Sequence, residues 1–188
     1  MEKANLSARD NALYGMLHAS RDDIAIARSC ARHIRKKGWH TYAFMRRGSV
    51  RIQQISFTTT LIVAYARPFA TGRGNINLPT RLIKYGNDEK ALHKRLLRLR
   101  DKEYAHSDAS SYNVTPYKGL IKSVESIRDV YFSPTEIDFF IHMTDGLMTR
   151  IADRMEQLRL GGSAFERANS ILPHSPAVTD RRDPCAYR

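Results

Sequence analysis

The residues with the clearest chemical potential are Arg100 and His106, which lie near the end of a strongly helical segment. An arginine guanidinium is always charged and presents a planar fork that suits a phosphate. A histidine imidazole titrates near neutral pH and can act as a general base or acid. Asp101 directly follows the arginine, where its carboxylate can orient either group. Together these side chains can bind a phosphate and move a proton.

The interval between this arginine and this histidine does not identify a site by itself. A similar interval occurs three more times in the chain, at Arg28…His33, Arg35…His40 and Arg167…His174. The context of the pair at 100 and 106 is different, because an aspartate follows the arginine and residues 107–108, Ser-Asp, close the helix after the histidine. Taken without that context, the two side chains can also be ordinary charges on an exposed helix surface.

The segment 99–108, LRDKEYAHSD, resembles the signature of the HEPN family (higher eukaryotes and prokaryotes nucleotide-binding domains) in its abortive-infection-type bacterial form. The resemblance covers about residues 50–158 and is mostly one of pattern outside this segment. It implies a cofactor-free, metal-independent endoribonuclease, a toxin or phage-defence effector with an antitoxin as a possible partner. Such an enzyme cleaves RNA by attack of the 2′-hydroxyl on the adjacent phosphate. The alternative is a non-catalytic module of the same family that binds a nucleotide, a nucleic acid or a protein partner.

Helix geometry makes one copy of this motif an incomplete site. Six residues of an ideal α-helix place Arg100 and His106 about 120° apart around the axis, on different faces. The resemblance implies that two copies of the motif line one cleft, which predicts a twofold homodimer. Lys102 and Tyr104, inside the motif, are predicted to contact the nucleic acid, although Tyr104 can instead pack against the protein.

The positive charge of the chain is concentrated in one third of its length. The 188 residues carry a formal net charge of +12, and no Asp or Glu occurs in residues 24–87. Such an uncompensated field favours a polyanion, because neutralised phosphates release their counterions. Arg67 and Arg73 lie in this stretch and are predicted nucleic-acid contacts. A helical DNA-binding protein is therefore a third interpretation, although no clean helix-turn-helix signature is present.

Composition predicts a globular cytoplasmic protein. The chain is 42% hydrophobic and 27% charged, which is ordinary for a folded domain. Its two cysteines, Cys30 and Cys185, form neither a disulfide framework nor a metal motif, and Cys30 with His33 lacks the second pair that a zinc site needs. The longest apolar run, residues 57–66, is far shorter than the ~20 residues that span a membrane.

Hydrophobic periodicity predicts an all-α, up-down bundle of four to five helices with a longer connection before the last helix. The domain is expected to cover residues 1–160, with a HEPN-like core at about 50–158, and residues 161–188 form a tail. The predicted helices cover about residues 6–37, 50–69, 87–106 and 134–160.

Several side chains have predicted positions on these helices. In the second helix the predicted buried face contains Ile52, Ile55, Leu61, Ile62 and Tyr65. In the third helix, which is expected to begin with Asn87 or Asp88 as its N-cap, His93 is grouped with the basic residues outside the apolar face. The last helix is expected to begin with a capping box at residues 133–136, SPTE, and to end at the glycines 161–162.

Overall fold

The computed structural model describes residues 6–70, 78–101, 114–115, 124–125 and 130–161. Within these ranges the chain forms a helical bundle, so the predicted all-α class is confirmed for the described part. Its helices are α1 (Ala8–Lys37), α2 (Gly48–Ala66), α3 (Asn87–Leu99) and α4 (Pro134–Arg159). Short 3-10 helices cover Ala43–Met45, Arg67–Phe69 and Thr80–Leu82, and β1 (Val114–Thr115) pairs antiparallel with β2 (Val124–Glu125).

The longest helix, α1, packs against both α2 and α4. Arg67, just after α2, bonds Asp23 in the middle of α1 at 3.0 Å. Phe57, earlier in α2, stacks on His33, later in α1, with ring centroids 4.1 Å apart. The two helices therefore run antiparallel, as consecutive helices joined by a short connection do.

Ion pairs between α1 and α4 show the direction in which α4 packs. Arg28 pairs with Asp145, and Arg35 pairs with Asp138 at 2.8 Å. Because the residue order is reversed between the two helices, α4 is antiparallel to α1. The last turn of α1 and the first turns of α4 therefore lie at the same end of the bundle.

The core is formed by the faces of the four helices that meet in the bundle, and Tyr65 and Phe140 are its largest fully buried side chains. A close-packed interior of this kind fixes the helix ends relative to one another. The fully or nearly fully buried residues include Leu17, Ile24, Ile34, Leu61, Ile62, Leu92, Leu96, Ile137, Met143, Leu147 and Ile151.

The predicted buried face of α2 is correct for its second half and wrong for its first. Leu61, Ile62 and Tyr65 are buried, but Ile52 is 67% exposed and Ile55 is 40% exposed. Residues 48–53 are exposed all round, so the first turns of α2 extend beyond its packing partners. Apolar spacing failed here because the core-facing positions of these turns are polar, beginning with Gln54, whose amide donates to the Thr41 carbonyl.

Local signals at the helix ends were more reliable than apolar spacing. The predicted capping box is present, because Glu136 N–H donates to Ser133 Oγ and Ser133 N–H donates to Glu136 Oε2. Gly161, with φ +76°, ends α4 as predicted. The N-cap of α3 is Gly86 rather than Asn87 or Asp88, because the Glu89 carboxylate accepts a hydrogen bond from Gly86 N–H at 2.8 Å.

Pro68 ends α2 early, as expected from its missing N–H, and the chain continues as the 3-10 turn Arg67–Phe69. None of the helices in the described ranges combines the length and the apolar character that crossing a membrane requires.

Candidate nucleic-acid interface

The segments that join the helices meet at one end of the bundle. The connection between α1 and α2 contacts the residues before α4, because His40 Nδ1 lies 3.1 Å from the Phe132 carbonyl and the Tyr42 ring lies 4.5 Å from the Tyr131 ring. The second half of α3 reaches the same place through Arg95, which donates to the Tyr131 carbonyl. Residues distant in sequence are thereby gathered on one surface.

We call this surface the basic end. It carries the last residues of α1, the turn before α2, the first turn of α2 and the end of α3. Its α2 N-terminus has no acidic residue in its first turn, so the positive end of the helix dipole adds to the field. The cations of the basic end are Lys36, Lys37, Arg46, Arg47, Arg51, Arg98 and Arg100.

Most of these cations have no acidic partner. Apart from Arg100, none of them pairs with a carboxylate within the described part of the chain. Of the described acids at the start of α4, Asp138 pairs with Arg35 and Glu136 pairs with Arg95. Within the described ranges, the basic end therefore combines exposed cations with few free counter-charges.

Several other cations of the acid-free stretch are paired with carboxylates inside the bundle. Arg28 and Arg32 both contact Asp145, and Arg67 bonds Asp23. Arg67 lies at the far end of α2, roughly 30 Å along the helix from the first turn. The structure therefore does not bring this predicted contact to the basic end, although an exposed ion pair of this kind is weak enough for a phosphate to displace.

Arg100 lies at the end of α3, where the type of helix changes. Regular α-helix stops at Leu99, and Arg100 and Asp101 continue it as a π-helical turn. Arg100 Nη1 donates to Asp101 Oδ1 at 2.7 Å, so the aspartate orients the guanidinium as the sequence suggested.

Four predicted site residues, Arg73, Lys102, Tyr104 and His106, lie outside the described residues. The proximity of His106 to Arg100 and the roles of the other three stay predictions. Only Arg67, Arg100 and Asp101 of the predicted set have a described position.

Sequence reasoning missed a set of aromatic rings at the basic end, Tyr42, Phe44 and Tyr131, which we call the aromatic platform. The rings of Tyr42 and Phe44 are stacked, with centroids 5.4 Å apart and planes inclined by 23°. Tyr42 is 40% exposed and Phe44 is 49% exposed. The signal that could have identified them is the direct succession of aromatic and basic residues in the segment 42–51, YAFMRRGSVR.

The connection that presents the platform is anchored in the core. Trp39 is buried, and its ring lies 5.3 Å from the His33 ring and 5.9 Å from the Phe57 ring. His33 is thus held by aromatic contacts, while burial raises the pKa of the nearby Cys30 thiol and disfavours the thiolate that binds metal. The structure gives no support to a zinc site at these two residues.

A second cluster missed by sequence reasoning joins α2, α3 and the segment between them. The Tyr65 hydroxyl lies 2.8 Å from His93 Nδ1 and 3.2 Å from the Tyr85 hydroxyl. Burial raises the pKa of Tyr85 to about 12, raises the pKa of Tyr65 well above its ordinary value, and lowers the pKa of His93. His93, which the sequence grouped with the basic residues outside the apolar face, is partly buried against Tyr65. Its neutral ring can accept a hydrogen bond from Tyr65, which in turn accepts one from Tyr85.

One groove of the described residues has the opposite charge. Its volume is about 520 Å³, and it lies between the start of α3 and the first turns of α4. Asp88, Glu89 and Asp138 line it together with Phe139 and His142. Carboxylates on both walls disfavour a phosphate there, so a polyanion would bind at the basic end instead.

Comparison of the chain with protein-family models, with curated proteins and with solved structures finds no match.

The Tyr65–His93–Tyr85 cluster predicts a specific dependence of stability on pH. His93 titrates near 6.5 when unfolded and lower when folded, so the unfolded chain binds more protons between these two values. The free energy of unfolding should therefore fall as the pH is lowered from neutral through 6.5, until the folded pKa is passed. We expect His93→Gln to remove this contribution, which thermal melts at pH 7.5 and pH 5.5 can measure.

The matched control is His142→Gln, because the His142 side chain is exposed on α4. This variant should retain the pH dependence of the wild type. Equal pH dependence in the wild type and His93→Gln would contradict the assigned role of His93.

Proposed function

We propose that this protein binds RNA at the basic end and cleaves it with Arg100 and His106, as a HEPN-type, metal-independent endoribonuclease of a toxin or phage-defence system. The observation that supports the proposal best is the group of cations at the basic end, near Arg100, that pair with no carboxylate among the described residues. The π-helical turn at this residue also supports the proposal, because such turns are rare in proteins overall but are often found at functional sites.

Binding would begin with the phosphates. Lys36, Lys37, Arg47 and Arg51 are exposed, and each can approach a phosphate without first breaking an ion pair to a described carboxylate. A single strand that neutralises about four phosphates there should bind with a slope of log K against log salt of roughly −3. An RNA affinity that does not change with salt concentration would contradict binding through these cations.

The cleavage step needs one proton acceptor and one group that stabilises charge on the phosphate. In the proposed reaction His106 takes the proton of the 2′-hydroxyl, and the 2′-oxygen attacks the adjacent phosphorus. The bond from phosphorus to the 5′-oxygen breaks, and that oxygen takes up a proton from a protonated His106 of the second copy. The products are a 2′,3′-cyclic phosphate and a 5′-hydroxyl, with Arg100 donating to the phosphoryl oxygens throughout.

The contact between Arg100 and Asp101 bears on both candidate functions. A guanidinium has five N–H donors, so a bond from Nη1 to the aspartate leaves donors for a phosphate. The same bond partly neutralises the arginine, which favours the second candidate, a non-catalytic module that binds RNA without cutting it. In that module Arg100 would hold the strand and His106 would have no chemical role.

The proposed homodimer is supported by apolar side chains on α2. Ile52 and Ile55 are exposed, and they lie three residues apart on one face, away from the buried face of the helix. Exposed aliphatic side chains at helical spacing are typical of helix–helix interfaces. Because this face adjoins the basic end, a twofold contact through it would bring two copies of that end together.

The dimer proposal predicts a change of mass on substitution. The wild type should elute with twice the 21.5 kDa mass of the chain in light-scattering chromatography. Ile52→Glu should shift it to the monomer, because a twofold contact would bury two carboxylates without partners. Ile26→Glu is the control, since Ile26 is exposed on α1. A dimer that survives Ile52→Glu, or a monomeric wild type, would refute this interface.

The cleavage proposal predicts that the wild type cuts single-stranded RNA in the presence of a chelator. His106→Ala should lower the rate by roughly 10²- to 10⁴-fold, which is the usual contribution of a general base or acid. RNA affinity and melting temperature should change little, and gel analysis should detect cyclic phosphate ends only with the wild type. His142→Ala is the control with an exposed histidine outside the site.

Two results separate the candidate functions. If the wild type binds RNA but cuts none, with or without metal ions, the endoribonuclease is ruled out and the non-catalytic module is the remaining function. A wild type that neither binds nor cuts RNA would overturn both.

A further inference from the structure

The aromatic platform has a composition that phosphate binding alone does not require. Phe44 and Tyr42 are exposed aromatic rings beside the cations of the basic end. Arg46 and Arg47 follow Phe44 after a single methionine, and Arg51 lies one turn further along α2. An exposed ring beside arginines offers a π-face for a nucleobase and cations for the phosphates that flank it.

The platform is held in place by described contacts. The Tyr42 and Tyr131 rings make an edge-to-face contact, and Ala43, between Tyr42 and Phe44 in sequence, is buried. The 3-10 turn Ala43–Met45 closes through hydrogen bonds from Met45 N–H to the Tyr42 carbonyl and from Arg46 N–H to the Ala43 carbonyl. Arg46 also donates to the Gly38 carbonyl at 3.5 Å. A ring presented on such a turn loses little freedom when a base stacks on it.

We infer that the aromatic platform stacks unpaired bases, so that the basic end selects single-stranded RNA over duplex RNA. Bases inside a duplex already stack on each other, and their faces are closed to a protein ring. An unpaired base can lie on Phe44 while its neighbouring phosphates meet Arg47 and Arg51. Every base has a π-face, so this contact would be tolerant of sequence.

This inference rests on the proposed RNA binding, but it does not depend on catalysis. Arg47 is the N-cap of α2 and Arg51 lies in its first turn, so both are close in sequence to the platform residue Phe44. In this arrangement the arginines supply attraction to any polyanion, whereas Phe44 responds only to a chain that carries bases. The two contributions can therefore be measured separately.

The test uses the full-length protein and two fluorescent oligomers of equal length, measured by anisotropy. One is a 2′-O-methyl RNA, which cannot be cut because it lacks the attacking hydroxyl. The other is an abasic phosphate oligomer with the same charge. Phe44→Ala should weaken binding of the first about tenfold, within the range of one base stack, and leave the second unchanged. Phe44→Trp should restore the affinity for the first.

Two control variants accompany this test. Phe139→Ala removes a ring of similar exposure in the acidic groove and should not alter either affinity. Arg51→Gln should weaken binding of both oligomers and reduce the salt slope by about 0.7, as expected when one phosphate contact is lost. Melting temperatures of all variants verify that the fold is retained.

Three outcomes would each contradict a different claim. If Phe44→Ala changes neither affinity, or changes both equally, the stacking role is overturned while salt-dependent RNA binding stands. If a duplex of the same sequence binds as tightly as the single strand, the selectivity is overturned. If the wild type binds neither oligomer, the RNA-binding function itself fails.

Discussion

The distribution of carboxylates against α1 is the constraint on which the rest of this structure depends. Asp145 and Asp138 on α4 meet Arg28 and Arg35, and these pairs accompany the antiparallel packing of α4 on α1. Beyond Asp138 no further carboxylate of α4 is left for Lys36 and Lys37, because Glu136 is engaged by Arg95. Among the residues that the structure describes, the cations at this end of the bundle therefore find no carboxylate partner on α4.

This end is also where the chemistry of the sequence motif begins. Arg100 and Asp101 extend α3 toward the segment before α4, and the rings of Tyr42 and Tyr131 join that segment to the connection between α1 and α2. Phosphate attraction, base stacking and the proposed cleavage would thus occupy one continuous surface. The acidic groove beside His142 gives the molecule two surfaces of opposite sign, which would orient a polyanion as it approaches.

The sequence predicted those features that depend on local rules. The capping box at Ser133 and the glycine stop at Gly161 follow from local requirements of a helix start and a helix end, and both are present. Ile52 and Ile55 were misplaced because apolar spacing cannot show that a helix extends beyond its neighbours. His93 was misplaced because its hydrogen-bond partner, Tyr65, lies on another helix. Charge counting located the basic stretch, but only the fold shows which of its cations are already paired.

The proposed binding of RNA at the basic end is tested most directly by photo-crosslinking. The experiment uses full-length protein, a single-stranded RNA containing 4-thiouridine, and mass spectrometry to map the attachment sites. The predicted sites lie in residues 36–51 and from residue 98 through the LRDKEYAHSD segment. Crosslinks confined to residues 86–89 and 135–142, which line the acidic groove, would contradict the claim, as would the absence of any crosslink under conditions where the RNA binds.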